Sequence, residues 1–179
     1  MLSRRTLGAA ALAGTALTAM QEAIAQTAAG GGDWMAMVQA HHLMIDATFK
    51  DLLATRDNQG AQRRALHQRL AYILTAHSVA EENVLYPALA MRGLKPGSDK
   101  LYHDQAQAKV LNAELDMAAD KGNAAWLEKV RTLQAAITQH AKQDEEGDLY
   151  PKLQQAAGAA ENAKLTAAYR REFARVRRA

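Results

Sequence analysis

The chain has 179 residues, long enough for one domain with a sizeable core. It contains no cysteine, which excludes disulfides, zinc–thiolate sites and covalent c-type haem attachment. A net charge of +3 is too small to point to nucleic acid, and sparse Gly and Pro among abundant Ala, Leu, Gln, Glu, Lys and Arg favour helix throughout.

Residues 1–25 read as an export signal. Ser3-Arg4-Arg5-Thr6-Leu7 is similar to the twin-arginine signal of bacterial export, a small-residue apolar run follows, and Ala23-Ile24-Ala25 forms an A-x-A cleavage pattern. The run is too short and too rich in Ala and Gly for a membrane span. An ordinary secretory signal is the alternative, and Gln21 and Glu22 leave retention as an anchor open. Cleavage after Ala25 removes Arg4, Arg5 and Glu22, taking the net charge to +2. The mature protein is then expected in the periplasm or otherwise exported, with no transmembrane segment left.

Residues 26–33, with Gly30-Gly31-Gly32, form a linker, and residues 34–157 carry four long helical patterns separated by turn signals. The first runs from about Trp34 to Thr55 and stops at Arg56-Asp57-Asn58-Gln59-Gly60. The second runs from about Gln62 to Ala90, before Arg92-Gly93-Leu94-Lys95-Pro96-Gly97. The third covers about Lys100 to Ala119, and the fourth about Ala125 to Gln155, closed by Gly158. Residues 158–179 form a basic amphipathic C-terminal helix with Leu165, Tyr169, Phe173 and Val176 at helical spacing, expected to be largely solvated. Short loops between long amphipathic helices imply an all-α fold, an up-down-up-down antiparallel four-helix bundle.

The helices match in pairs. His42 to His103 is a shift of 61, His77 to His140 of 63 and Pro87 to Pro151 of 64, as in a duplicated hairpin. His77 and Glu81 lie on the apolar stripe of the second helix with Leu70, Leu74, Val84 and Leu85. A carboxylate facing a core beside a histidine costs several kcal/mol, roughly, unless it is paired. In an antiparallel hairpin two residues are level when their midpoint falls on the connecting loop. The midpoint of His42 and His77 falls in Asn58-Gln59-Gly60, that of His77 and His103 at Ala90, and that of His103 and His140 at Lys121-Gly122. Four histidines, one per helix, are therefore expected in one layer with at least two carboxylates. A metal-free polar network would need every donor and acceptor satisfied internally, and a haem needs only one or two axial ligands. A metal centre uses the imidazole lone pairs and neutralises the carboxylates; this donor set suits iron, manganese or zinc.

The residues resemble a hemerythrin-like (HHE cation-binding) domain over roughly Trp34 to Gln155. The motifs are His77-x3-Glu81-Glu82 before Leu85-Tyr86-Pro87, His140-x4-Glu145-Glu146 before Leu149-Tyr150-Pro151, His42-Leu43-Met44-Ile45, and Tyr102-His103. The resemblance implies two non-haem irons bridged by Glu81 and Glu145, with His42, His77, His103 and His140 completing the ligand set. Such centres bind O2 reversibly, sense it or iron, or handle NO and peroxide. The implied function is binding, storage or sensing of O2 or a related small ligand. The alternatives are a redox enzyme turning over peroxide or NO and an iron-responsive interaction module using the basic tail.

Two departures bear on the site. The family's third helix carries a pair of histidines at i and i+4, whereas here Asp99 and Gln107 flank a single His103, so one of these or water would replace the missing imidazole. His140 and Glu145 stand at i and i+5, about 140° apart on a regular helix. Asp144 would suit a regular helix, but Glu145 has the same place relative to Leu-Tyr-Pro as Glu81. A one-residue π-bulge would bring it inward. The register of Ile45, Phe49 and Leu52 favours His42 over His41. His67 is expected on the surface, Glu82 and Glu146 outward or hydrogen-bonded behind the ligands, and Tyr86 and Tyr150 packed against the proline bends, with hydrogen bonding near the site as their alternative.

Overall fold

The structure is a computed structural model that describes residues 32–176. The export signal expected in residues 1–25, and most of the linker, lie outside the described residues. Helix α1 spans Trp34–Leu53, and α2 spans Gly60–Ala80. A π-helical turn, Glu81–Leu85, links α2 to the short α3, Tyr86–Ala90. Helix α4 spans Lys95–Met117 and α5 Ala124–Thr138. A second π segment, Gln139–Leu149, leads into α6, Tyr150–Val176, which bends sharply at Gly158. Among the described residues there is no strand, and no helix is long and apolar enough to cross a membrane.

Local chemistry sets the boundaries. Asp33 caps α1 by accepting from Ala36 N at 3.0 Å, and Asn123 caps α5 by accepting from Trp126 N at 2.9 Å. Helix α4 starts five residues earlier than its pattern suggests, because Pro96 sits in the first turn, where its missing N–H costs nothing. Ser98 then ties that turn to Tyr86 O at 2.8 Å. Gly158 has φ 68° and ψ 174°, a conformation open essentially to glycine alone, and it ends the fourth bundle helix as expected.

The four long helical stretches pack as neighbours in sequence order, the fourth closing against the first. Trp34, Ile45, Phe49, Leu70, Ile73, Leu85, Leu101, Leu133 and Leu153 fill the core. At the loop end away from the site, buried Arg63 donates to Thr55 Oγ1 (2.8 Å), Lys121 O (3.0 Å) and Asn123 O (2.8 Å), locking the first and third loops together. The C-terminal stretch is less solvated than its basic sequence suggests. Leu165, Tyr169 and Phe173 are buried, and Asn162 and Thr166 bond the indole and backbone N–H of Trp34.

Candidate metal centre

Midway along the bundle, α1, α2 and the two π segments bring ionisable side chains together in the core. His42, His77, Glu81 and Glu145 are all buried, and one ligand atom from each lies within 4.8 Å of the others. His42 Nε2 and His77 Nε2 face each other at 3.1 Å. His77 Nε2 is 3.2 Å from Glu81 Oε2, His42 Nε2 is 3.3 Å from Glu145 Oε2, and His140 Nε2 is 3.1 Å from Glu145 Oε1. Three imidazoles thus turn the same nitrogen toward two carboxylates.

Two of the three opposite nitrogens have hydrogen-bond partners, and the third lies near a carboxylate. His42 Nδ1 meets Glu146 Oε1 at 2.5 Å, His140 Nδ1 lies 3.5 Å from Asp104 Oδ2, and His77 Nδ1 is 2.9 Å from the Tyr169 hydroxyl. The carboxylate hydrogen-bonded at His42 Nδ1 keeps the proton there and leaves Nε2 with a lone pair, an arrangement common behind metal-bound histidines, whereas His140 Nδ1 makes no hydrogen bond.

The widened turn expected between His140 and Glu145 is present, and it extends over the whole of Gln139–Leu149. A Cβ on Gly147 would come within 2.8 Å of Lys142 O, so the segment needs glycine there. The π geometry turns Glu145 fully inward, while Asp144 points outward and pairs with Lys100 at 2.7 Å.

His103 does not join the layer. It is exposed and hydrogen-bonds Gln107, while the buried face of α4 carries Ser98, Leu101, Gln105 and Ala108. His103 stands two residues beyond the buried Leu101, about 200° around the helix, which turns it away from the core. Gln105 takes the inward place, donating to Glu81 Oε2 at 2.9 Å while Ser78 holds its carbonyl at 2.7 Å.

Two further expectations change, those for His67 and for the two tyrosines, while the cluster holds His42 and not His41 as the register favours. His67 is buried, with Nε2 3.1 Å from Asn112 Oδ1 and its ring edge-on to Trp126. His41 is buried as well as His42, but it stacks on Phe173 at 4.0 Å and its Nδ1 meets the Tyr169 hydroxyl at 2.9 Å. Tyr86 and Tyr150 do more than pack. The Tyr150 hydroxyl is 2.6 Å from Glu81 Oε1 and 2.8 Å from Glu145 Oε1, and that of Tyr86 is 2.9 Å from Glu145 Oε1. The repeated Leu-Tyr-Pro was the available signal for both phenols. Nothing in the sequence singled out Gln105.

Electrostatics split the two carboxylates. Burial, then the charge of Glu145, raises Glu81 well above the usual carboxylate value. Burial also pushes Glu145 upward, but His140 and His42 outweigh it and hold Glu145 well below. His42 and His140 are both raised, their carboxylate partners overcoming burial. Burial drives His77 well down, and burial with the charge of His42 brings His41 to about 3.

Hydrogen-bond donors run short here. Each phenol has one proton, yet both contact two carboxylates, and the buried Glu145 Oε2 accepts no hydrogen bond. Among the described residues neither carboxylate is paired with lysine or arginine. A cation fits this surplus of lone pairs.

A family profile described as Hemerythrin HHE cation binding domain matches residues 35–153. The chain belongs to the hemerythrin HHE cation-binding family. It is similar to the solved structure of a hemerythrin HHE cation-binding domain-containing protein from Mycobacterium kansasii, at 16% identity and TM-score 0.68. That likeness covers 82% of this chain and 88% of the other, and it bears on the fold. No curated protein is significantly similar to the chain. The His/Glu cluster is the place where this hemerythrin-like bundle can hold a metal cation.

Proposed function

We propose that this centre holds non-haem iron, two ions bridged by Glu81 and Glu145, and binds O2 or a related small ligand such as NO or peroxide. His42, His77 and His140 supply the imidazole nitrogens. The carrying observation is the meeting of His42 Nε2 and His77 Nε2 at 3.1 Å beside two buried carboxylates, one oxygen of which accepts no hydrogen bond. Two lone pairs so close repel unless a proton or a cation lies between them. Iron, when bound, supplies a position for the small ligand. The chain's own residues hold the carboxylates in place through Tyr86, Tyr150 and Gln105 and keep the imidazoles turned inward through Glu146, Asp104 and Tyr169. Three imidazoles with two carboxylates and no thiolate suit iron.

We also read the protein as exported, on the strength of Ser3-Arg4-Arg5 and Ala23-Ile24-Ala25. Replacing both arginines by lysine is expected to leave the protein in the cytoplasm, as read by cell fractionation.

Metal analysis of the purified protein tests the centre, with absorption spectra taken reduced, after O2 and after peroxide. About two irons with a reversible oxygenated band is the result expected for binding or storage. Turnover of peroxide or NO would make the protein an enzyme at the same centre. Absence of bound iron after anaerobic reconstitution with Fe2+ would refute the proposal.

A further inference from the structure

The stretch after Gly158 lies beyond the residues matched by the family profile, yet it sets one hydroxyl against two histidines. Tyr169 is fully buried, and its oxygen is 2.9 Å from His77 Nδ1 and 2.9 Å from His41 Nδ1. A phenol carries a single proton, so it donates to one of these nitrogens and accepts N–H from the other. Two arrangements satisfy the trio. In one, His41 donates to the oxygen and Tyr169 donates to His77 Nδ1, which places the proton of His77 on Nε2. In the other, His77 Nδ1–H donates to Tyr169, and Tyr169 donates to His41 Nδ1.

Only the second leaves His77 Nε2 with a lone pair, and Nε2 is the atom that faces His42 Nε2 and Glu81. It also puts the proton of His41 on Nε2, a buried atom with no hydrogen-bond partner. The ring of His41 is sandwiched away from the carboxylates, 4.0 Å from Phe173 and 5.5 Å edge-on from His77. Of the other two inward histidines, His42 hydrogen-bonds Glu146 at Nδ1 and His140 has the Asp104 carboxylate 3.5 Å away without a hydrogen bond, both within the bundle. His77 alone depends on a neutral group delivered by the C-terminal helix.

We propose that Tyr169 is a positioning residue of the metal centre, holding His77 as its Nδ1–H tautomer with His41 as the final acceptor. The C-terminal helix is then part of the centre. This role rests on the reading above that His77 Nε2 is a metal donor.

The test uses the full chain loaded with Zn2+, a diamagnetic probe, and compares wild type, Tyr169→Phe and Leu165→Ala. Zn2+ affinity is measured by competition with a chromophoric chelator, and histidine tautomers by long-range 1H–15N NMR. Tyr169→Phe keeps the ring and removes only the hydroxyl; its Kd is expected to rise about 10- to 100-fold, the usual loss for a partner behind a metal-bound histidine. Leu165→Ala loosens the docking of the same helix at another buried residue, keeping the Tyr169 hydroxyl and the Phe173 ring stacked on His41, and its Kd is expected to stay within about twofold. Wild type should show His77 protonated at Nδ1 and His41 at Nε2. A wild-type His41 protonated at Nδ1 would overturn the proposal even if Tyr169→Phe failed to fold. Equal weakening by both variants, or none by Tyr169→Phe, would overturn it too while leaving the metal reading intact. A wild type that takes up neither Zn2+ nor Fe2+ would refute the metal reading and this role with it.

Discussion

Glu81→Gln separates what the cluster does for folding from what it does for metal. Glu81 is fully buried, with Oε1 2.6 Å from the Tyr150 hydroxyl and Oε2 2.9 Å from the Gln105 amide. Glutamine has the shape of the protonated acid and can satisfy both contacts. Its carbonyl accepts from Gln105, its NH2 donates to the Tyr150 oxygen, and Tyr150 turns its proton to Glu145 Oε1 at 2.8 Å. Because the folded state raises the Glu81 carboxyl, the unfolded chain ionises first. The metal-free native protein therefore loses stability as pH rises from the ordinary 4.5 through the raised value. Glutamine removes that loss. Metal-free Glu81→Gln should match wild type at pH 5 to within about 1 kcal/mol, the net worth of one hydrogen bond, and gain on it at pH 8. Metal is another matter, because the ligands must be deprotonated. Ligand at 100 times its Kd stabilises by about 2.7 kcal/mol, roughly 5–11 °C in Tm for a chain of this size. Thermal unfolding followed by circular dichroism, metal-free and with anaerobic Fe2+, should show that rise in wild type and none in the variant. An equal rise in Glu81→Gln would refute the ligand role. A metal-free variant melting more than about 10 °C below wild type, several kcal/mol, would refute the hydrogen-bond account.

Glu145→Gln should abolish iron uptake while Asp144→Asn leaves it unchanged, as measured by metal content after anaerobic reconstitution; the reverse result would mean that the π segment does not aim Glu145. His103→Ala should likewise keep full metal content, since His103 lies on the exposed face of α4. Burial lowers His67 below its ordinary 6.5, so the unfolded chain takes up a proton the native state resists. Stability from this residue is present above pH 6.5 and lost as pH falls below it. The advantage of wild type over His67→Gln in urea unfolding should accordingly shrink from pH 7.5 to pH 5.5. Arg63→Met breaks four hydrogen bonds at the far end of the bundle, two of them buried, and should cost about 2–6 kcal/mol, about 1–3 for each buried acceptor left without a donor, without altering the metal affinity of whatever fraction folds.

The bundle was legible because its signals are periodic. Apolar stripes, loop residues and the near-equal shifts between paired motifs all repeat, and each reports a helix or its partner. The meeting of His42 and His77 was legible for the same reason, since the loop midpoint sets them level. Direction around the helix was harder. His103 lies on the exposed face, and only the buried set Leu101, Gln105 and Ala108 shows which way α4 turns. Tyr169 was visible as one apolar position among four, but its contact with His41 and His77 spans 128 and 92 residues. No local pattern encodes a contact that depends on where Gly158 sends the chain.

The two halves of the centre differ by one residue and still converge, and the π geometry explains how. His77 and Glu81 are separated by a regular helical turn, His140 and Glu145 by one residue more, taken up inside the second π segment. Beyond each glutamate the spacing is identical, and in both halves the backbone N–H of the tyrosine five residues on, Tyr86 or Tyr150, bonds the carbonyl of its own glutamate. In an α-helix that tyrosine would stand about 140° away from the glutamate; an i→i+5 bond stacks the two on one face. The side chains then cross. Tyr86 lies 2.9 Å from Glu145 against 3.4 Å from Glu81, and Tyr150 lies 2.6 Å from Glu81 against 2.8 Å from Glu145. Each π stretch therefore presents a carboxylate and, one turn on, the phenol that steadies the carboxylate of the other half. Pro87 and Pro151 fit the same design, because a residue without an N–H directly after each tyrosine cannot resume the α-helical bond four residues back.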